Sequence, residues 1–365
     1  MEKHSMDRRF FMASAFASSA VPQAFAGSDI TRAFFAPHEG ARHARTWMCW
    51  PSTEEIYESS LAYFEDVQET LGRLARAIAE HEPVTMLADR SLHPLARRLC
   101  GPKVELMDVA TDDMWSRDSG PVFVQNARGE KAVVDFNFNG WGNKQQHDQD
   151  SNVAQAIAQR LAIKTIKSGV VGEGGGLEYD GDGTLILTES CWVNDNRNPG
   201  MSRDEIEREL KKLLGVEVVI WLPGVRGRDI TDGHIDGSLR IVRPGLLMMS
   251  RYPGDNTSIW AQARAEAKSV LHASRDAHGR SFEIVEIDSA TAPRSDDPEL
   301  FTSYANYYVG NGAVFTPAFG DNAADRAAQE TLAQLYPDRR IVSLNVDRIY
   351  ESGGGIHCVT QQEPV

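Results

Sequence analysis

Hydrophobic spacing along this chain switches between a period of two and a period near that of a helix, and the switches recur in one order. Val122–Val124 and Ala132–Asp135 flank Asn126-Ala127-Arg128-Gly129 and read as a hairpin, Val153–Leu161 then carries helical spacing, and Ile163–Ile166 reads as a strand. The same ββαβ order returns in Leu177–Tyr179, Thr184–Leu187, a helix over Arg203–Leu214 with Ser202 as its N-cap, and Val216–Trp221. It returns a third time in Leu239–Val242, Leu246–Met249, Ser258–Leu271 and Phe282–Ile287, and a fourth in Tyr304–Val309, Ala313–Thr316, Ala323–Leu335 and Arg340–Leu344.

A fifth unit assembles when the two ends of the chain are joined. Cys358–Thr360 supplies its first strand and Arg45–Cys49 its second. A helix from Glu58 to Glu80 follows, with Leu61, Phe64, Val67, Leu71, Leu74 and Ile78 on one face, and then the strand Val84–Leu87. Leu92–Leu99 and Val104–Val109 repeat the alternation once more. Joining the ends removes an exposed sheet edge, so the pattern predicts a ring, a five-bladed pseudo-symmetric α/β propeller of ββαβ units. An open α/β sheet uses the same elements and is the competing architecture.

Composition narrows the picture. With 41% hydrophobic and 25% charged residues the chain reads as a soluble globular protein, and no apolar run is long enough to span a membrane as a helix. A formal net charge of −14 disfavours nucleic-acid partners and favours cationic ligands. The N-terminus differs from the rest: Arg8-Arg9-Phe10-Phe11 precedes a mildly apolar stretch and then Ala24-Phe25-Ala26. That order predicts a twin-arginine signal peptide over residues 1–26, a periplasmic or secreted destination, and a single domain over residues 33–365. The cysteines Cys49, Cys100, Cys191 and Cys358 have no zinc-site spacing. If Cys358 stays free, at most one disulfide forms among the other three, and the sequence leaves that open.

The polar motifs sit just ahead of the hairpins, one per unit: Asp118 in Trp115-Ser116-Arg117-Asp118, Glu173 before three glycines, His234 and Asp236 in Asp232-Gly233-His234-Ile235-Asp236, and Cys358 behind Gly353-Gly354-Gly355. Equivalent positions in a ring point at one axis, so these side chains are expected to meet there. The fourth unit offers only Asp296 or Asp297, and neither receives a role. The set suits attack on a guanidinium carbon. Two carboxylates, Asp118 and Asp236, can hold a planar cation through paired charge-assisted hydrogen bonds. Cys358 can supply a nucleophilic thiolate whose pKa the cationic substrate and a protonated His234 together lower, and His234 can pass protons while Glu173 orients its ring. This chemistry calls for no metal and no cofactor.

At these residues the sequence resembles the agmatine deiminase family of the guanidine-modifying superfamily. The resemblance spans roughly residues 33–365 and implies a five-bladed α/β propeller. It rests on Pro37-His38-Glu39, Thr46-Trp47-Met48-Cys49-Trp50-Pro51, the W-x-R-D-x-G-P motif at Trp115–Pro121 and the tryptophan-glycine turn Asn139-Gly140-Trp141-Gly142-Asn143-Lys144. It rests further on Glu173-Gly174-Gly175, Asn196-Arg197-Asn198-Pro199, the G-H-x-D pair at His234 and Asp236, and G-G-G-x-I-H-C-x-T-Q-Q ending the chain. By resemblance Cys358, His234 and Glu173 are catalytic, and Asp118, Asp236 and Trp115 bind substrate. The chain departs at Gly237, where the family often carries Asn.

The expected reaction is hydrolysis of agmatine to N-carbamoylputrescine and ammonia through a covalent thiouronium on Cys358. The same chemistry on arginine or peptidyl arginine, giving citrulline, is the first alternative. A non-catalytic periplasmic binding protein for guanidino compounds is the second. The expected partner is a small cationic guanidino substrate, and a homodimer is the expected assembly if the chain associates.

Overall fold

A computed structural model describes residues 33–57 and 60–365; the signal-peptide reading of residues 1–26 lies outside them. Its strands form five separate small sheets. In each of four sheets an antiparallel pair is followed by a parallel third strand. The strands are Val122–Gln125, Lys131–Asp135 and Lys164–Lys167 in the first, and Glu178–Tyr179, Thr184–Thr188 and Val218–Leu222 in the second. They are Leu239–Arg243, Leu246–Arg251 and Glu283–Asp288 in the third, and Tyr308–Gly310, Ala313–Pro317 and Arg340–Leu344 in the fourth. The helix of each unit is the crossover that a parallel connection requires.

Local chemistry sets the element ends. The helix Arg203–Leu214 opens on a capping box in which Ser202 and Glu205 satisfy each other's backbone N–H, and it stops at Gly215, whose φ of 66° is left-handed. Its Ile206, Leu210, Leu213 and Leu214 are buried, as the helical spacing requires. The middle strands Thr184–Thr188 and Ala313–Pro317 are buried along their whole length, while the outer strand Lys164–Lys167 carries lysines into solvent.

The fifth sheet closes the ring. Gln361–Pro364 pairs antiparallel with His43–Cys49, placing Trp47 opposite Gln361 and Thr46 opposite Gln362; Val84–Ala88 and then Val104–Asp108 follow in parallel. Two corrections to the sequence reading arise here. The closing strand begins at Gln361, not at Cys358, because Cys358–Thr360 turn tightly: Val359 N donates to Gly355 O at 3.3 Å, and Thr360 N donates to His357 O at 3.1 Å. Backbone groups spent within a turn cannot join a ladder. The sheet also has a fourth strand, Val104–Asp108, so this unit is larger than the others. The open-sheet alternative fails, since the sheets are separate. All four cysteines are free thiols, so no disulfide links Cys49, Cys100 and Cys191. Among the described residues, no helix is long and apolar enough to cross a membrane.

Candidate active site

The segments that precede the first strand of each sheet converge. Asp118 lies in the short helix Ser116–Ser119, Glu173 just before the turn Gly174–Gly176, His234 and Asp236 before Leu239, and Cys358 before Gln361. Gly175 is where they meet. A Cβ built on it would lie 2.7 Å from His234 Nδ1, 2.8 Å from Asp118 Oδ1 and 3.2 Å from Asp236 Oδ2, so no side chain fits there. Regular spacing in the sequence becomes one cluster.

Asp118 is fixed from two sides. Gly175 N donates to its Oδ1 at 3.0 Å and Trp141 Nε1 to its Oδ2 at 3.0 Å. Trp141 reaches it from a turn in which Gly140, Trp141 and Gly142 all have positive φ, with Asn139 accepting from Gly142 N. A non-glycine residue in that region is strained unless its surroundings hold it, and the bond to Asp118 is one such hold.

His234 bridges carboxylates, with Nε2 3.2 Å from Glu173 Oε2 and Nδ1 3.7 Å from Asp118 Oδ2. Glu173 is wholly buried and is clamped by Arg197 Nε at 2.8 and 3.0 Å; Arg197 Nη1 continues to Asp232 at 2.8 Å, where Lys144 adds a bond of 2.7 Å. Burial opposes the imidazolium, but attraction to Asp118 and hydrogen bonding with Cys191 and Glu173 hold its pKa well above the ordinary histidine value. Burial works against Glu173 as well, and its bonds to His234 and Arg197 keep it lower than an ordinary glutamate.

A second buried relay stands behind Asp236. His357, 1% exposed, has Nδ1 2.7 Å from Asp236 Oδ2 and Nε2 2.8 Å from Glu39 Oε2. Glu39 also accepts from Arg240 Nη2 at 2.6 Å, and Arg240 Nε donates to Glu178. Despite burial, the His357 bond and charge hold Asp236 below the usual aspartate range, and Arg240 together with His357 does the same for Glu39 more strongly. Arg117, the chain neighbour of Asp118, is turned toward this relay: its Nη1 donates to Gln362 at 2.7 Å and its Nη2 lies 3.7 Å from Glu39.

Cys358 meets the cluster at Asp236 and is partly exposed. Asn306 Nδ2 donates to its Sγ at 3.2 Å, and Sγ lies 3.5 Å from both Asn306 Oδ1 and Asp236 Oδ2. The side chains of the site alone do not hold the Cys358 thiol pKa below its ordinary value. Burial raises it well above its ordinary value, and the charges of Asp236 and Asp118 push the same way. A cation placed between those carboxylates would remove much of that penalty.

Asn306 is the contribution of the fourth unit, missing from the sequence reading. It precedes the strand Tyr308–Gly310, the same place in the repeat as the other site residues, while Asp296 and Asp297 lie in an exposed loop. An amide carries no charge to mark it, and only repeat position signalled it. Glu39, Arg197 and His357 were visible only as letters within family-like motifs. Trp115 is brought in as packing: it is 7% exposed, its Nε1 donates to Asp113 Oδ2 at 2.8 Å, and a Cβ on Gly354 would lie 2.3 Å from its ring. It shapes the loop that carries Cys358.

Comparison with known proteins gives a consistent result. The family described as Porphyromonas-type peptidyl-arginine deiminase matches residues 35–364. The agmatine deiminase of Ectopseudomonas mendocina is 36% identical over 356 residues, covering 91% of this chain and 95% of its own, and that of Medicago truncatula is 34% identical, covering 91% and 96%. The solved structure of an Enterococcus faecalis agmatine deiminase superposes with a TM-score of 0.85 at 30% identity, covering 93% of this chain and 98% of its own.

Proposed function

The chain belongs to the Porphyromonas-type peptidyl-arginine deiminase family, and we propose that it hydrolyses agmatine to N-carbamoylputrescine and ammonia. The observation that carries this reading is the meeting of Asp118, His234 and Asp236 over Gly175, with the Cys358 thiol 3.5 Å from Asp236.

In this reading Asp118 and Asp236 hold the guanidinium by charge-assisted bonds. Its positive charge compensates the two carboxylates, so the thiol gives up its proton to solvent as the substrate enters. The thiolate attacks the guanidinium carbon and forms a C–S bond. His234, already protonated, gives a proton to one nitrogen, the C–N bond breaks, and ammonia leaves a cationic thiouronium on Cys358. His234, now neutral, takes a proton from water as the oxygen adds to the same carbon. Collapse breaks the C–S bond and expels Cys358 as a thiolate, which takes up the C–O–H proton, and the ureido product leaves. Glu173, clamped by Arg197, keeps the imidazole ring in place through both transfers.

The test is ammonia release from agmatine, free arginine and a peptidyl arginine, offered separately. Turnover of agmatine is expected. Turnover of peptidyl arginine alone would keep the mechanism and replace the substrate, and binding of agmatine without ammonia would favour the binding-protein alternative.

The same proposal includes export through the twin-arginine route to the periplasm or beyond. It is supported by Arg8-Arg9-Phe10-Phe11 and Ala24-Phe25-Ala26, which lie upstream of the family match. Fractionation of cells with and without Arg8→Lys/Arg9→Lys checks it. A homodimer is supported by Ile259 and Trp260, adjacent and exposed at 47% and 41%, and light scattering reads the mass directly.

A further inference from the structure

Cys191 takes no part in the chemistry above, yet its thiol lies among catalytic groups. It is fully buried in the short helix Glu189–Trp192, with Sγ 3.6 Å from Glu173 Oε2. His234 Nε2 is 3.2 Å from that same oxygen. The three ligand atoms all lie within 4.8 Å of one another, and this is the group of histidine, cysteine and carboxylate side chains among the described residues that converges so closely. We propose that Glu173, Cys191 and His234 form an inhibitory binding site for zinc or a similar divalent cation.

The donor set and its spacing suit such an ion. One thiolate, one imidazole and one carboxylate are the ligand types zinc takes, and three protein ligands leave a fourth position for water. With ordinary zinc–ligand bond lengths, tetrahedral geometry puts the oxygen and nitrogen about 3.3 Å apart and the oxygen and sulfur about 3.5 Å apart. The distances in the protein are 3.2 and 3.6 Å, so ligation needs little movement of the oxygen against its two neighbours. Glu173 does not have to leave Arg197, because Oε1 keeps its 2.8 Å bond to Nε while Oε2 turns to the ion.

Charge also balances. Zinc binding displaces two protons, one from the Cys191 thiol and one from His234, so a dication enters as two single charges leave to solvent. His234 is then tied through Nε2 as a neutral imidazole, and its remaining Nδ1 proton, on the Asp118 side, is held by a far weaker acid than the imidazolium that the leaving nitrogen needs. The ion is therefore an inhibitor and not a cofactor. The site lies on the Glu173 side of the imidazole and does not include Cys358. This separates it from ordinary capture of a nucleophilic thiol by a metal.

The closing experiment has two arms. In the first, the zinc concentration that halves agmatine turnover is measured for the native protein, Cys191→Ala and Cys191→Ser, each against its own metal-free rate. Loss of a ligand should raise that concentration by at least about tenfold, the lower end of what even an outer partner contributes to metal affinity. In the second arm, which needs no activity, Co2+ is added to the native protein, to Cys358→Ser and to Cys358→Ser/Cys191→Ser, and the thiolate-to-cobalt absorption is recorded. The band is expected in the single variant and absent from the double. A band absent from Cys358→Ser but present in the native protein would place the ion on Cys358 and overturn the proposal, as would zinc inhibition indifferent to Cys191. Because this arm reads ligation alone, it stands even if agmatine proves not to be the substrate.

Discussion

Replacing His357 with glutamine tests whether the buried relay sets the charge of Asp236. The imidazole presents a ring nitrogen to a carboxylate on each side, at 2.7 Å to Asp236 and 2.8 Å to Glu39. Glutamine has one donor end and one acceptor end, so only one of the two carboxylates can keep its bond. A hydrogen bond to a charged group contributes about 1.5–3 kcal/mol, and that is the expected loss of stability in urea denaturation at neutral pH. The more diagnostic effect is on pH. The His357 bond is the largest influence holding Asp236 low against burial, so without it the folded-state pKa of Asp236 rises. A carboxylate whose pKa is depressed by folding contributes stability that is present above its unfolded pKa of about 3.9 and is lost as pH falls through the folded value. In the variant that contribution is smaller and its loss is complete at higher pH. The acid limbs of both stability and kcat/KM should therefore move to higher pH. A folded variant whose kcat/KM keeps the native acid limb would refute the reasoning, and His357 would then be packing only.

Gly175→Ala sets a methyl group 2.7 Å from His234 Nδ1 and 2.8 Å from Asp118 Oδ1, and steady-state kinetics should show kcat/KM down by at least about a hundredfold, as misplacement by about an ångström does. Asn306→Ala removes the donor at 3.2 Å from Cys358 Sγ and the Oδ1 that accepts the His357 N–H at 3.0 Å, so kcat/KM should fall by about tenfold with a changed rate of Cys358 alkylation, and stability should fall by about 1 kcal/mol. Ser202→Ala, far from the chemistry, breaks the capping box of Arg203–Leu214 and should lower stability by about 1 kcal/mol in urea while leaving kcat/KM as it was.

The ring was legible because each unit repeats the same order of periods, and because the ends of the chain completed the one unit that was otherwise missing. The place where that reading slipped, Cys358–Thr360, has three residues with strand-like letters whose backbone bonds are taken by a tight turn, which spacing does not reveal. Charged site residues were legible for a related reason: Asp118, Glu173, His234 and Asp236 stand at matching points of successive units. Asn306 stands at such a point too, but an uncharged amide among tyrosines and an alanine carries no signal of chemistry. Glu39 and Arg240 escaped because their role arises only from folding, which brings residues 39, 240 and 357 together from distant parts of the chain. The upward pull on the Cys358 thiol was also hidden, since it comes from burial and from two carboxylates that the sequence had placed only around the substrate.

The central claim is that the Cys358 sulfur bonds to the guanidinium carbon during turnover. The most direct test is to quench the protein with acid during agmatine hydrolysis and weigh the peptide that contains Cys358. A mass increase equal to agmatine less ammonia, present on Cys358 and absent from Cys358→Ala, together with loss of ammonia release in that variant, is the result this account predicts. Ammonia release that persists in Cys358→Ala, with no adduct on the native peptide, would contradict it.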